Sequence, residues 1–240
     1  MKMTPKRVKF LVQHGADPNV KTRGNFGAGW TPAMSAAERG FLICLRFLVE
    51  SGADLSLTSI CGQTALTLAA KNARLDCVKY LTQHMSDTLL NHRVYRDIET
   101  ALMKIVSCYI SMTNEHLLCL EHLIDIGADL NIRSIDDETV LMIALRRNHT
   151  ITNAVELLLK KGAEIHAVTN YGATPLTLAV CRKNTKGISL LIESGADVNR
   201  VSDNGASLLK HATNNSMLTL LRNGLDPTMT CRHRGFLHEA

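Results

Sequence analysis

The chain has 240 residues, 45% hydrophobic and 20% charged, which is enough to bury the core of one or two domains. Its formal net charge of +5 comes from scattered lysines and arginines with no block of like charges, which argues against a nucleic-acid-binding protein. The sequence shows no signal peptide and no apolar stretch long enough to span a membrane, which argues against a secreted or membrane protein.

The first predicted element is an amphipathic helix from Pro5 to His14, which ends in the phrase Gly15-Ala16-Asp17. The same phrase, with Asp or Glu in third place, begins again at Gly52, Gly127, Gly162 and Gly195. The intervals between the glycines are 37, 75, 35 and 33 residues, and the 75 divides into 33 and 42 if His84–Asp87 is a degenerate copy. A period in this range indicates a stacked repeat array, in which each unit buries its core against its neighbours.

Residues 59–87 show one unit clearly. Thr64 follows a glycine turn and predicts the N-cap of a first helix, Ala65 to Lys71. A turn near Asn72 to Arg74 leads to a second helix, Leu75 to His84, whose apolar residues recur three apart on one face. Neither helix is long enough to be stable alone, so stacking must supply the core.

Similar cap residues recur before the other first helices, at Thr31, Thr64, Thr100, Thr139, Thr174 and Ser207. In four units the third residue of the phrase stands ten residues before the next cap, at Asp54, Asp129, Glu164 and Asp197. A turn, a capped first helix, a second helix and the Gly-Ala-Asp phrase in this register resemble the ankyrin repeat. The resemblance implies an all-α fold, a solenoid of stacked antiparallel helix pairs with hairpin tips, as a single domain over residues 1–240. Its approximate units are 1–19 (partial), 26–54, 59–87, 95–129, 134–164, 169–197, 202–226 and 230–240 (partial).

Several departures from the repeat pattern predict local differences in structure. A glycine-rich insertion at residues 23–29 predicts a loop at a hairpin tip. Six extra residues near Ser107 to Glu115 predict a longer helix or inter-helix turn, and a short interval after Ser207 predicts shortened helices in the last full unit. Both ends of the chain fall within a repeat, which predicts a piece of a longer array. The replacement of the family's histidine near the start of the first helix predicts a weaker local hydrogen bond. The residues at this position are Met34, Thr67, Met103, Met142, Thr177 and Lys210.

The cysteines and histidines do not indicate a metal or catalytic site. The seven cysteines include no C-x-x-C pair, which favours reduced thiols and an intracellular protein, cytoplasmic with the nucleus as the alternative. Cys44, Cys77 and Cys119 take the same place in three second helices, and we expect them to be buried and too far apart for disulfides. No zinc-ligand spacing and no nucleophile or phosphate-binding motif occurs. We therefore expect no enzyme activity, no cofactor and no metal.

Three asparagines, Asn19, Asn131 and Asn199, each follow the aspartate of the phrase by two residues. The resemblance implies that asparagines at this place can be hydroxylated. The alternative is that they hydrogen-bond the hairpin backbone.

The predicted binding surface follows the first helices and the hairpin tips, which line the concave side of arrays in the resembling family. A net basic row lies seven and eight residues after the caps, and its members are Arg39, Lys71, Arg146, Arg147 and Arg182. An acidic or phosphorylated protein segment would pair with this row, whereas the alternative is an ordinary solvated helix edge. Trp30 is either a contact residue or packs the glycine-rich insertion together with Phe26. Further tip candidates are Arg133, Asn170, Tyr171 and Arg200.

We predict a non-catalytic protein–protein interaction module or scaffold that binds a partner protein through its concave groove and hairpin tips. No nucleic-acid, membrane or small-molecule ligand is expected. The alternative is the substrate-recruiting ankyrin portion of a ubiquitin-ligase adaptor whose docking box lies outside this chain. A ligase-docking box in sequence beyond Ala240 would favour the adaptor.

Overall fold

The computed structural model describes residues 4–23, 29–93, 99–107, 112–146, 152–200, 208, 212–226 and 228. Within these ranges the chain forms helices and no β-strand. The helices are α1 (Pro5–Gln13), α2 (Pro32–Arg39), α3 (Leu42–Glu50), α4 (Ala65–Lys71), α5 (Leu75–His84), α6 (Asp87–Leu90), α7 (Ala101–Val106), α8 (Asn114–Asp125), α9 (Val140–Arg146), α10 (Thr152–Lys160), α11 (Pro175–Cys181), α12 (Thr185–Glu193) and α13 (Asn214–Arg222). The bounds predicted for α4 and α5 are confirmed at both ends.

The chain divides into two compact units, Met1–Ile135 and Asp136–Ala240. In the first unit the first helices α2, α4 and α7 stack side by side, and the second helices α1, α3, α5 and α8 pack behind them. In the second unit α9 packs against α11 and α10, and α12 lies between α10 and α13. Each of the two compact units is therefore a series of antiparallel helix pairs, as the sequence period predicts.

Small residues allow the first helices to approach one another closely. Ala36, Ala69, Ala144 and Ala179, each five residues after its cap, are completely buried. Leucines of the second helices, among them Leu45, Leu81 and Leu120, fill the space behind them and are also buried. The core is thus continuous from one pair to the next within each unit.

Threonine caps start the first helices and satisfy backbone donors that a helix end leaves unpaired. The Thr64 hydroxyl accepts the N–H of Thr67 at 3.2 Å, and the Thr67 hydroxyl in turn accepts the N–H of Thr64 at 2.9 Å. The Thr174 and Thr177 pair does the same. The hydrogen bond to the cap backbone is therefore present at the threonines, and its weakening relative to histidine stays a prediction.

Glycine ends most of the second helices in the left-handed conformation. Gly52, for example, has φ 88°, and the next N–H, of Ala53, donates to the Leu48 carbonyl at 2.9 Å. Met85 stands where the degenerate copy of the phrase predicts such an end, but its φ is −115°, and the short helix α6 follows. The physical reason is the Cβ of methionine, which makes the left-handed conformation costly.

The structure also shows where two of the irregular intervals go. The helix α8 has 12 residues whereas α3 has 9, so part of the six-residue insertion lengthens the second helix as predicted. The helix α13 has 9 residues, the same as α12, so the prediction of shortened helices is wrong for this one. Thr213 caps it with Ser216, and α13 therefore starts at full length. Most of the 23–29 insertion, with Phe26, lies outside the described residues, as does Arg147.

The three cysteines predicted to be buried are buried. Cys44, Cys77 and Cys119 are at most 1% exposed and are free thiols. Burial raises the pKa of all three thiols. The pKa of Cys77 rises to about 11 and that of Cys119 to about 12. These thiols therefore stay protonated at neutral pH and act as small core residues.

Candidate protein-binding surface

The hairpins that project beyond the helices are fixed to one another by asparagine side chains. Asn19 donates through Nδ2 to the Gly52 carbonyl at 3.1 Å and accepts the Asp54 N–H at 2.7 Å. In the second unit Asn199 makes the same pair of bonds to Gly224 and Asp226, at 2.9 and 2.8 Å. The backbone role considered for these asparagines is therefore present for both residues.

Asn91 takes this role within the first unit. Its Oδ1 accepts the Asp129 N–H at 2.9 Å. It was missed because it stands six residues after Met85, whereas Asn19 stands four residues after Gly15. Asn131 has an exposed side chain, and its N–H donates to the Asp129 carboxylate at 2.8 Å. Hydroxylation of Asn19, Asn131 and Asn199 stays a prediction.

Large apolar side chains stand exposed at three tips. They are Ile60 (65% exposed), Ile135 (60%) and Tyr171 (72%), and Asn170 is exposed beside Tyr171. Ile60 is not among the residues predicted from the sequence, although it precedes Thr64 by four residues just as Ile135 precedes Thr139. Exposed aromatic and branched apolar residues on fixed loops are suited to anchor a partner protein.

The turns that carry Ile60 and Tyr171 are built alike. The Ser59 hydroxyl accepts the Gln63 N–H at 3.0 Å, and the Ser59 carbonyl accepts the Gly62 N–H at 2.9 Å. Thr169 makes the equivalent bonds to Ala173 and Gly172, at 3.1 and 2.9 Å. Each turn is thus closed by one polar residue, which holds the apolar tip in place before a partner arrives.

Trp30 lies at the base of another hairpin and is half-buried. Its carbonyl accepts the Thr22 N–H at 2.9 Å, and its N–H donates to the Thr22 hydroxyl at 3.0 Å. The neighbouring Gly29 lies so close to Ile60 that an added Cβ would be 3.0 Å from the Ile60 nitrogen. Trp30 therefore belongs to the neighbourhood of the Ile60 tip, and its contact with a partner stays a prediction.

The basic residues at the ends of the first helices differ in environment. In the first unit Arg39 is exposed and Lys71 is half-buried. In the second unit Arg182 is exposed, whereas Arg146 lies 3.4 Å from the buried carboxylate of Glu138. The Arg146 side chain is itself 41% exposed, so Arg146 differs from Arg39 and Arg182 by its ion pair with Glu138.

Two further arginines of the tips have contacts within their own unit. The carbonyl of Arg133, which is half-buried, accepts a hydrogen bond from Nη2 of Arg93 at 2.8 Å. Nη1 of Arg200, which is exposed, donates to the His166 carbonyl at 3.4 Å. The described residues contain no group of three or more His, Cys, Asp or Glu side chains that could hold a metal ion. No described helix has the length and apolar character needed to cross a membrane.

His116 is a buried histidine near the start of α8. Its Nδ1 accepts the Thr113 N–H at 3.2 Å, so the ring proton lies on Nε2. Nε2 is buried and has no hydrogen-bond acceptor within the usual distance and angle among the described residues. Burial lowers the pKa of His116, and the Lys71 backbone opposes this only in part. Burial also lowers the pKa of His122 on the same helix.

We expect the stability of the first unit to fall as the pH drops below about 6.5. The pKa of His116 is lower in the folded chain than in the unfolded one, so the unfolded chain binds the proton first and gains stability. The urea concentration at the unfolding midpoint should therefore be lower at about pH 5 than at about pH 8. This difference should be smaller in His116→Gln. An equal fall in both proteins would contradict this role for His116.

Comparisons with known proteins agree with this architecture. A family model for ankyrin repeats matches three times, over residues 2–93, 102–202 and 153–231. The Caenorhabditis elegans ankyrin repeat and KH domain-containing protein mask-1 is 31% identical over 179 residues, which are 74% of this chain and 6% of that protein. The human ankyrin repeat and SOCS box protein 6 is 29% identical over 152 residues, 61% of this chain and 34% of that protein. The chain thus spans a third or less of these relatives.

Among solved structures, the ankyrin repeat domain of human ASB11 superposes with a TM-score of 0.74 at 23% identity, covering 92% of this chain and 95% of that one. At this identity the likeness shows the fold alone, and it confirms the predicted all-α ankyrin solenoid. This fold is in general a protein-interaction module without catalytic activity. With the repeat model matched along most of its length, the chain belongs to the ankyrin-repeat family.

Proposed function

We propose that this chain is a non-catalytic module that binds a partner protein through its hairpin tips and along its first helices. The observation that carries the proposal is the exposure of Ile60, Ile135 and Tyr171, of which Ile60 and Tyr171 lie on turns closed by their own hydrogen bonds. Placing such side chains in water is unfavourable unless a partner covers them, and fixed tips lose little entropy when it does.

The tip variant Ile60→Ser with Tyr171→Ser tests this proposal. In a crosslinking pull-down at sub-saturating concentration, we expect this variant to recover at least about 30-fold less partner protein, because each of the two lost apolar anchors weakens binding by about 1–2 kcal/mol. Leu118 and Leu218 are the matched controls, since they are 48% and 55% exposed but lie on second helices. If Leu118→Ser with Leu218→Ser removes the same partners to the same extent, the tips are not the site.

The proposed partner offers acidic or phosphorylated residues to the basic row. Support comes from Arg39 and Arg182, which are exposed at the ends of α2 and α11. Replacing both by Glu, with the exposed Lys160→Glu as control, separates a charge contribution from a contribution of the tips. Retention of all partners by the Arg39→Glu and Arg182→Glu protein would remove the row from the binding surface.

A second candidate function is the recruitment of substrates to a ubiquitin ligase. The similarity to ankyrin repeat and SOCS box protein 6, and to the ASB11 repeat domain, favours it. It requires that the protein expressed from its full reading frame carry ubiquitin-ligase subunits with it during purification from cells. Purification without any such subunit would remove this candidate.

A further inference from the structure

An apolar groove lies beside the first helix pair of the chain, away from the hairpin tips. It has a volume of about 410 Å³ and lies between the start of α1 and the turn that joins α2 to α3. The residues that line it are Thr4, Pro5, Gly40, Phe41, Leu42, Ile43 and Cys44. Most of these side chains are apolar, and the groove is large enough for one or two bulky side chains of a ligand.

The walls of this groove stay exposed in the folded chain. Ile43 is 67% exposed and Phe41 is 37% exposed, whereas Cys44 at the floor is buried. Gly40 has φ 75° and packs against the side chain of Arg74, whose Nε donates to the Glu38 carbonyl at 3.1 Å. The turn is thus fixed from the side of the next helix pair, and its other side forms the groove.

The net positive charge of the chain comes from its first 50 residues, which include the segment that forms the groove. Residues 1–50 hold eight Lys and Arg and three Asp and Glu, a net charge of +5, which equals the net charge of the whole chain. Residues 51–240 are therefore neutral overall, with 19 of each sign. The excess charge is therefore uneven along the chain, and Lys6, Lys9 and Arg39 are the members of it next to the groove.

Exposed cationic side chains stand next to both walls. Lys6 follows Pro5, and Lys9 lies one helical turn after Pro5 on the same face of α1. Arg39 is exposed directly before Gly40 on the opposite wall. The N-terminal ends of α1 and α3 add backbone donors, since neither has a side-chain cap.

We propose that this groove binds an acidic segment of a partner protein, with a bulky apolar side chain in the groove and carboxylates against Lys6, Lys9 and Arg39. The concave shape of the groove suits an inserted side chain, whereas a membrane surface would require a flat apolar face. The groove is separate from the tips but shares Arg39 with the basic row, so Arg39 is left unchanged in the variants that test the groove.

Fluorescence anisotropy with a labelled synthetic peptide tests the proposal. The probe carries two leucines flanked by glutamates, and two comparison peptides replace the leucines by serine or the glutamates by lysine. We expect the probe to bind, both comparison peptides to bind at least about tenfold more weakly, and added salt to weaken binding. No binding of the probe, or equal binding of either comparison peptide, would overturn the proposal.

Matched variants locate the binding. Ile43→Ser and the pair Lys6→Glu with Lys9→Glu should each weaken the probe about tenfold. Leu118→Ser, at an exposed leucine of the same unit, and Lys160→Glu should leave it unchanged. Circular dichroism and thermal unfolding verify that each variant is folded. Equal loss in the Leu118→Ser control would overturn the assignment to the groove.

Two further measurements test whether a membrane surface or a second copy of the chain occupies the groove instead. Sedimentation with anionic phosphatidylserine vesicles measures binding to a membrane, and analytical ultracentrifugation of the protein alone measures self-association. We expect neither to decrease in Ile43→Ser. Binding to vesicles that depends on Ile43 would replace the acidic segment by a membrane surface. Self-association that depends on Ile43 would replace it by a second copy of the chain. The tip variants are measured on recovered partner protein and the groove variants on the synthetic peptide, so the two proposals fail separately.

Discussion

Leu120→Ala should lower the free energy of unfolding by about 2–5 kcal/mol. Leu120 lies on α8 and is completely buried, and α8 packs against α4, α5 and α7. Removal of its side chain therefore loses apolar burial and leaves a cavity among several helices. Urea unfolding followed by circular dichroism measures the change.

Leu118 provides the matched control for Leu120. It lies on the same helix two residues earlier and is 48% exposed, so Leu118→Ala should change stability by less than about 0.5 kcal/mol. Both substitutions replace leucine by alanine in a helix, and helix propensity therefore cancels between them. Equal losses in the two variants would mean that α8 is not packed as described.

The effect of Leu120 should concentrate in the first unit because stability in a repeat array is a sum of local terms. Its contacts are with helices of that unit. Hydrogen exchange should therefore show faster opening of α4, α5, α7 and α8 in Leu120→Ala, whereas exchange of α11 and α12 should change less.

Local signals explain why the sequence predicts much of this fold. A threonine cap starts α4, and a glycine in the left-handed conformation ends α3. Each signal acts within a few residues, so a single sequence reveals it. Met85 shows the limit of this logic, since the period calls for a helix end there but a residue with a Cβ does not adopt the glycine conformation.

The candidate surface was harder to predict because it depends on contacts between side chains of different elements. Arg146 stands in the basic row by spacing, but its partner Glu138 precedes the helix and is buried beside it. Ile43 follows an ordinary helical pattern, and only the packing of α1 against α3 shows that it borders a groove. His116 likewise becomes notable only when burial removes its ring from water.

Gly187→Ala should lower stability by about 1–2 kcal/mol, although helix propensity alone predicts a gain of about 1 kcal/mol. Gly187 is buried in α12, and an added Cβ would lie 2.8 Å from Cδ2 of Leu145 and 2.9 Å from Cγ of Asn184. Asn184 is itself 5% exposed and caps the helix by accepting the Gly187 N–H at 2.9 Å. The cap therefore has little room to move, and thermal or urea unfolding of the variant measures the strain.

Asn184→Ser separates strain from propensity. Serine keeps an oxygen for the cap but lacks the amide that the new Cβ would meet. In this background Gly187→Ala should lose most of its cost, and the double-mutant cycle should give a coupling of about 1 kcal/mol or more. A gain in stability from Gly187→Ala in the parent chain would show that α12 is less closely packed than the structure describes. An equal cost in both backgrounds would instead place the obstacle at Leu145, whose flexible end is the other contact.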